Sequence, residues 1–86
     1  MSAYYFRIKY AEHIVPDYEG GEFSDLASAK EDASESLREL VGRAILSKGR
    51  PDLPLAIQIW DADGQFAAEV HIDAAIPQIA LRSRER

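Results

Sequence analysis

FSDLASAKEDASESLRELVGRAILSKGRP, residues 23–51, is the stretch whose reading decides the fold. Leu26, Ala29, Ala33, Leu37, Leu40, Val41, Ala44 and Ile45 recur at spacings of three and four. That rhythm gathers them into one apolar stripe of an α-helix. Lys30, Glu31, Glu35, Arg38 and Glu39 fall on the opposite side and suit water. Ser24 stands where an N-cap belongs, and Phe23 before it is placed to staple against the first turn. Asp25 lies near the positive end of the helix dipole, with Arg43 and Lys48 toward the negative end. Gly49 suits the C′ position and Pro51 forbids continuation. A helix with one apolar side must bury it, and the flanking sequence supplies strands to bury it on.

Upstream, Tyr4 to Tyr10 reads YYFRIKY. Tyr4, Phe6, Ile8 and Tyr10 share one face and Tyr5, Arg7 and Lys9 the other, the alternation of a half-buried strand. His13-Ile14-Val15 is expected to be a short partner, ended or confined to an edge by Pro16, which has no N–H to donate. Asp17 to Glu22, with Gly20 and Gly21 adjacent, reads as a loop. Downstream, Leu55 to Trp60 and Phe66 to Ile72 are two more alternating runs around Asp61-Ala62-Asp63-Gly64-Gln65, and Asp-Gly is a strong hairpin signal. Leu55, Ile57 and Ile59 are expected to face the core beside Ala68, Val70 and Ile72. The result is an α+β fold of ββαββ order, a four-stranded, mainly antiparallel sheet with one long helix on one face. Strand order does not follow from these signals. Residues 3–73 are expected to form a single domain. Residues 74–86 are expected to form a partly disordered C-terminal tail, with a short turn at Ala74 to Pro77.

Composition narrows the function. With 86 residues the chain is near the small end of what folds alone, and self-association would help it bury surface. It has no cysteine, which removes disulfides, thiolate zinc sites and thiol nucleophiles. The first ten residues lack the continuous apolar core of a signal peptide, and no run approaches the roughly 20 apolar residues of a membrane span. A soluble, cytoplasmic protein is expected. The net charge is −5, and between Glu12 and Glu39 nine acidic residues face only Lys30 and Arg38. Such a body disfavours nucleic acid, whose binding rests on cationic contacts to phosphate. The three arginines of the last five residues are too few to reverse that, and they read as a solvated chain end.

Several pieces in this order resemble domain-of-unknown-function family 6894, short bacterial proteins known chiefly from rhizobia and their relatives. The matching pieces are Tyr4-Tyr5-Phe6, Asp17 to Glu22, Phe23-Ser24-Asp25-Leu26-Ala27 and Trp60-Asp61-Ala62-Asp63-Gly64. The resemblance covers about residues 3 to 73. Tyr5 stands where phenylalanine is commoner in the family, and Ser24 where proline is. The resemblance implies the ββαββ architecture and no particular activity.

Candidate sites are few. Asp17, Glu19 and Glu22 could hold Mg²⁺ or Ca²⁺ through oxygen, but their spacing matches no calcium loop, and a polar turn before a helix explains them. Asp61-x-Asp63-Gly64 begins like an EF-hand loop and lacks the downstream glutamate, so turn geometry accounts for it. His13 and His71 could act as base or ligand, yet no nucleophile or third ligand accompanies them. No catalytic residue, metal or cofactor is assigned, and the chain is not expected to be an enzyme.

The remaining candidate is the sheet face away from the helix. By parity it displays Tyr5, Arg7, Lys9, Gln58, Trp60, Glu69 and His71, with Ala67 among them. Tyrosine, tryptophan and arginine are enriched in interface hot spots. The preferred expectation is a non-enzymatic interaction module that contacts a protein or a second copy through this face or an edge strand. The alternative is a nucleic-acid-binding regulator of toxin–antitoxin type using the same face, where aromatics could stack bases.

Overall fold

A computed structural model describes residues 2–46 and 53–75. The elements run β1 (Ser2–Lys9), β2 (Ile14–Phe23), α1 (Leu26–Leu46), β3 (Ala56–Asp61), β4 (Phe66–His71) and α2 (Ile72–Ala75). The fold is α+β, an antiparallel sheet with one long helix. Among the described residues the sheet has four strands in the order β2-β1-β3-β4. The two central strands, β1 and β3, come from different hairpins and pair antiparallel, with Phe6 opposite Ile59 and Ile8 opposite Ile57. This non-local pairing joins the two hairpins into one sheet.

The apolar stripe of α1 lies over these strands. Phe6, Ile8, Ile57, Ile59 and Val70 are buried against Ala29, Ala33 and Leu37. Two alanines in the middle of the stripe leave no bulk between helix and sheet, so Phe6 and the isoleucines of β1 and β3 fill the space. Val41 is also buried, whereas Ile45, expected on the stripe, is 63% exposed because the helix there has passed beyond the core. Leu55 likewise is partly exposed at the sheet's end. Its backbone extends the ladder, donating to the Lys9 carbonyl at 2.8 Å and accepting from the Ile72 amide at 2.8 Å. The expected helix stop at Lys48, Gly49 and Pro51 lies outside the described residues.

Three expectations are corrected. The Asp17 to Glu22 stretch is not a loop: β2 is a ten-residue strand whose Gly21, Gly20 and Glu19 pair with Tyr4, Tyr5 and Phe6. His13 precedes this strand. Pro16 does not end it, because β2 is an edge strand and the register shifts between Phe6 and Ile8, where Pro16 to Tyr18 have no one-to-one partners. A bulge on an edge is where a residue lacking an N–H does least harm. The N-cap is Asp25 rather than Ser24. Asp25 Oδ1 accepts from the Ser28 amide at 2.9 Å, while Ser24 Oγ pairs with Ser28 Oγ at 3.1 Å. Phe23 ends β2 and stacks on Phe6, with ring centres 5.9 Å apart. Third, Ala74 and Ala75 belong to α2, and Ala75 is buried in the core. The rest of the expected tail, 76–86, lies outside the described residues.

The second hairpin turns as its sequence suggests. Asp61 Oδ1 accepts from the amides of Asp63 and Gln65, both at 2.9 Å, and Gly64 takes a φ of 79°. A side chain at position 64 would meet no obstacle, so the requirement there is conformational.

Candidate outer-face site

Alternation along β1 sends Tyr5, Arg7 and Lys9 away from α1, and the register carries the same parity onto its neighbours. Tyr5 lies opposite Trp60, Arg7 opposite Gln58 and Lys9 opposite Ala56. On β4, Glu69 faces Gln58 and His71 faces Ala56. Seven of the eight residues expected on this face therefore come together on one side of the sheet; the eighth, Ala67, packs against the core instead.

One residue of the face was not anticipated. Strict alternation places Phe66 with Ala68 and Val70, toward the helix. The register of β3 with β4 shifts between Ile59 and Trp60, so that Ala67 is passed over and Trp60 pairs with Phe66. The bulge turns Phe66 outward, 53% exposed, with its ring edge-on to Trp60 at 5.7 Å and 81°. The five-residue connection from Asp61 to Gln65 is longer than a two-residue hairpin loop, the one signal of irregular pairing in the sequence. Gly20, Tyr5, Trp60 and Phe66 consequently form one row across all four strands. Gly20 is part of this design: a Cβ there would sit 2.8 Å from Tyr5 Cδ1, so the tyrosine ring lies where that side chain would be. Tyr5 remains 46% exposed.

Arg7, Lys9, Gln58, Trp60, Glu69 and His71 contact one another within the face. The Arg7 guanidinium carbon lies 4.5 Å from the centre of the Trp60 ring, a cation–π contact. Trp60 Nε1 donates to Gln58 Oε1 at 3.3 Å. Glu69 holds His71 Nε2 at 3.2 Å and stands 4.0 Å from Lys9 Nζ. The second distance is an electrostatic contact beyond hydrogen-bond range, which leaves the buried Glu69 Oε2 without a donor.

The other candidate sites are taken apart. Glu19 lies opposite Phe6 and accepts from Ser36 Oγ of the helix at 3.4 Å, whereas Glu22 lies opposite Ala3 on the outer face. Pleating thus separates two members of the acidic trio. Asp61 is occupied by the turn. His13 stacks on Tyr10 at 4.7 Å, on the β1–β2 connection, and His71 belongs to the outer face at the far edge, so the histidines do not converge. An open cleft of about 640 Å³ lies between α1 and β4, lined by Lys30, Glu35 and Arg38 of the helix and by Glu69 and Val70 of the strand. Arg38 Nη1 donates across it to the Ala75 carbonyl at 3.4 Å. No described helix is long and apolar enough to cross a membrane.

Comparison with known proteins yields no match among curated proteins or solved structures. A family model described as a domain of unknown function (DUF6894) matches residues 3–73. Those limits take in β1 from its second residue, β2 through β4 and both hairpin turns, and therefore every residue named on the outer face. The chain belongs to the DUF6894 family.

Proposed function

We propose that this chain is a non-enzymatic, cytoplasmic bacterial interaction module that contacts protein through the outer face of its sheet. The observation that carries the reading is the Tyr5–Trp60–Phe66 row, three aromatic side chains held side by side on adjacent strands at a spacing of about 4.8 Å. Aromatic anchors ringed by polar groups are the residue pattern of an interface centre. An antiparallel sheet tolerates water on one face, but a merely solvated face has no need of such a row. Nucleic acid is the weaker reading. Arg7 covers Trp60, where a base would stack, and Lys9 already faces Glu69. Immobilised wild-type chain, Trp60→Ala and a helix-face control, Glu35→Ala, should be compared for protein capture alongside their sedimentation. The reading expects capture or self-association that Trp60→Ala weakens and Glu35→Ala does not. Equal behaviour of all three chains would sink it.

A further inference from the structure

Building on the reading that the outer face is a protein contact, we infer that its occupant is a second copy of this chain. The two sheets dock face to face about a two-fold axis running across the strands.

The first argument is charge. The outer face carries Arg7 and Lys9 against Glu22 and Glu69, two lysine or arginine side chains against two glutamates, inside a chain of net charge −5. Two copies repel each other over most approaches, and this face is a patch they can share without that cost. The charges are also ordered along the strands. Lys9 stands at one end of β1, while Glu22 stands at the other, opposite Ala3. Six residues separate these rows, about 20 Å. An axis across the strands reverses the order of the rows, so Lys9 of each copy comes over the row holding Glu22 of the other. An isologous interface requires this kind of self-complementarity, in which residue i meets j and j meets i. The Lys9 ammonium is 4.0 Å from Glu69, too far for a hydrogen bond, and its side chain is still accessible. It can therefore turn to a new carboxylate without breaking a short contact.

The same operation lays Tyr5 over Arg7 of the second copy and Trp60 over its Gln58. These two aromatics then each meet a flat polar group, a pairing seen within one copy where Arg7 lies on Trp60, while Phe66 comes over Glu69 of the second copy. Four strands span about 19 Å, so the face offers about 400 Å² of flat area on each copy, more once side-chain relief is counted. Interfaces below about 1,200 Å² in total belong to weak, transient complexes, so this dimer forms only at elevated concentration.

Sedimentation of the full chain from about 1 µM to about 1 mM tests the inference. The weight-average mass should rise from one chain toward two. Phe66→Glu, which sets a carboxylate over Glu69 of the second copy, should hold the chain monomeric, and Tyr5→Arg, over its Arg7, provides a second disruption should the first variant fail to fold. Lys9→Glu and Glu22→Lys should each weaken the dimer about tenfold, and the double variant should return to within about threefold of wild type, as expected for complementary charges across an interface. A chain that stays monomeric at 1 mM, or a dimer untouched by Phe66→Glu or by Tyr5→Arg, overturns the inference. So does a double charge reversal that fails to restore association, or tight binding of a single-stranded 12-mer oligonucleotide by the wild type. A monomer that captures another protein in a Trp60-dependent manner removes the second copy and leaves the contact reading standing. Loss of both behaviours removes the two together.

Discussion

Tyr5 and Phe6 are neighbours on one central strand, and the sheet sends them to opposite fates. Phe6 is fully buried beneath α1, whereas nearly half of Tyr5 meets solvent. The helix-facing side is filled by Phe6 and by aliphatic and small residues fitted to the Ala29–Ala33–Leu37 stripe, with Tyr4 and Phe23 packed at its margin. The outer side is an aromatic row tied to its strands by a cation–π contact, a glycine seat and an edge-on ring pair. The first construction is covered by α1, whereas among the described residues no helix covers the second. Stability should therefore concentrate on one face and association on the other.

Phe6→Ala tests that division most severely. It removes a ring that Phe23 stacks on and that faces Ile59 across the ladder, and the cavity left cannot collapse between two central strands and a helix. A loss of about 3–5 kcal/mol is expected, read by urea unfolding. For a domain this small that is a large part of its total stability. A loss under about 1 kcal/mol would mean that the two faces are not distinguished as described.

Gly20→Val probes the outer face at its edge. The added Cβ meets the Tyr5 ring at 2.8 Å and the Tyr4 carbonyl oxygen at 3.1 Å, so ring and strand must shift. Valine favours strands, which offsets part of the cost, and overpacking of this kind costs about 1–3 kcal/mol. The displaced tyrosine should also show altered fluorescence or NMR shifts. Trp60→Ala follows with about 1–2 kcal/mol, the combined scale of its contacts with Arg7 and Phe66. If Trp60→Ala proved as costly as Phe6→Ala, the outer face would be a second core, and its reading as an interface would fail.

How much of this contrast the sequence discloses depends on the range of the interaction that decides each element. The helix and the Asp61 turn are legible because spacing and local hydrogen-bonding chemistry settle them. The alternation of Tyr4 to Tyr10 likewise assigns each side chain to its face. β2 is not legible in the same way. Pro16, Gly20 and Gly21 are poor strand residues locally, and they become acceptable through an edge position, a bulge and the tyrosine rings of β1, all properties of the assembled sheet. Phe66 is missed for a similar reason, since one bulged residue reverses the parity of everything before it. The seven outer-face residues keep their faces because the extra residues of both shifts lie elsewhere, Pro16 to Tyr18 on β2 and Ala67 on β4.

The smallest effect concerns the entrance to the helix, where the two faces part. Asp25 is fully exposed, and its carboxyl is held below the usual carboxylate range by the Ser28 amide first and then by the Ser28 hydroxyl. A lowered folded-state value means that the folded chain favours the ionised cap. Its contribution is complete above the unfolded value of 3.8 and disappears as pH falls through the lower, folded one. Asp25→Ala should therefore lower the melting temperature slightly at neutral pH, with the first turn exchanging its amide hydrogens faster. The difference from wild type should close as acid protonates the cap. Ser24→Ala, by contrast, removes only a hydroxyl contact with Ser28 and should leave both measurements nearly unchanged at neutral pH. If the two substitutions exchanged these outcomes, Ser24 would be the true cap, and the helix would begin one residue earlier than the Asp25–Ser28 hydrogen bond places it.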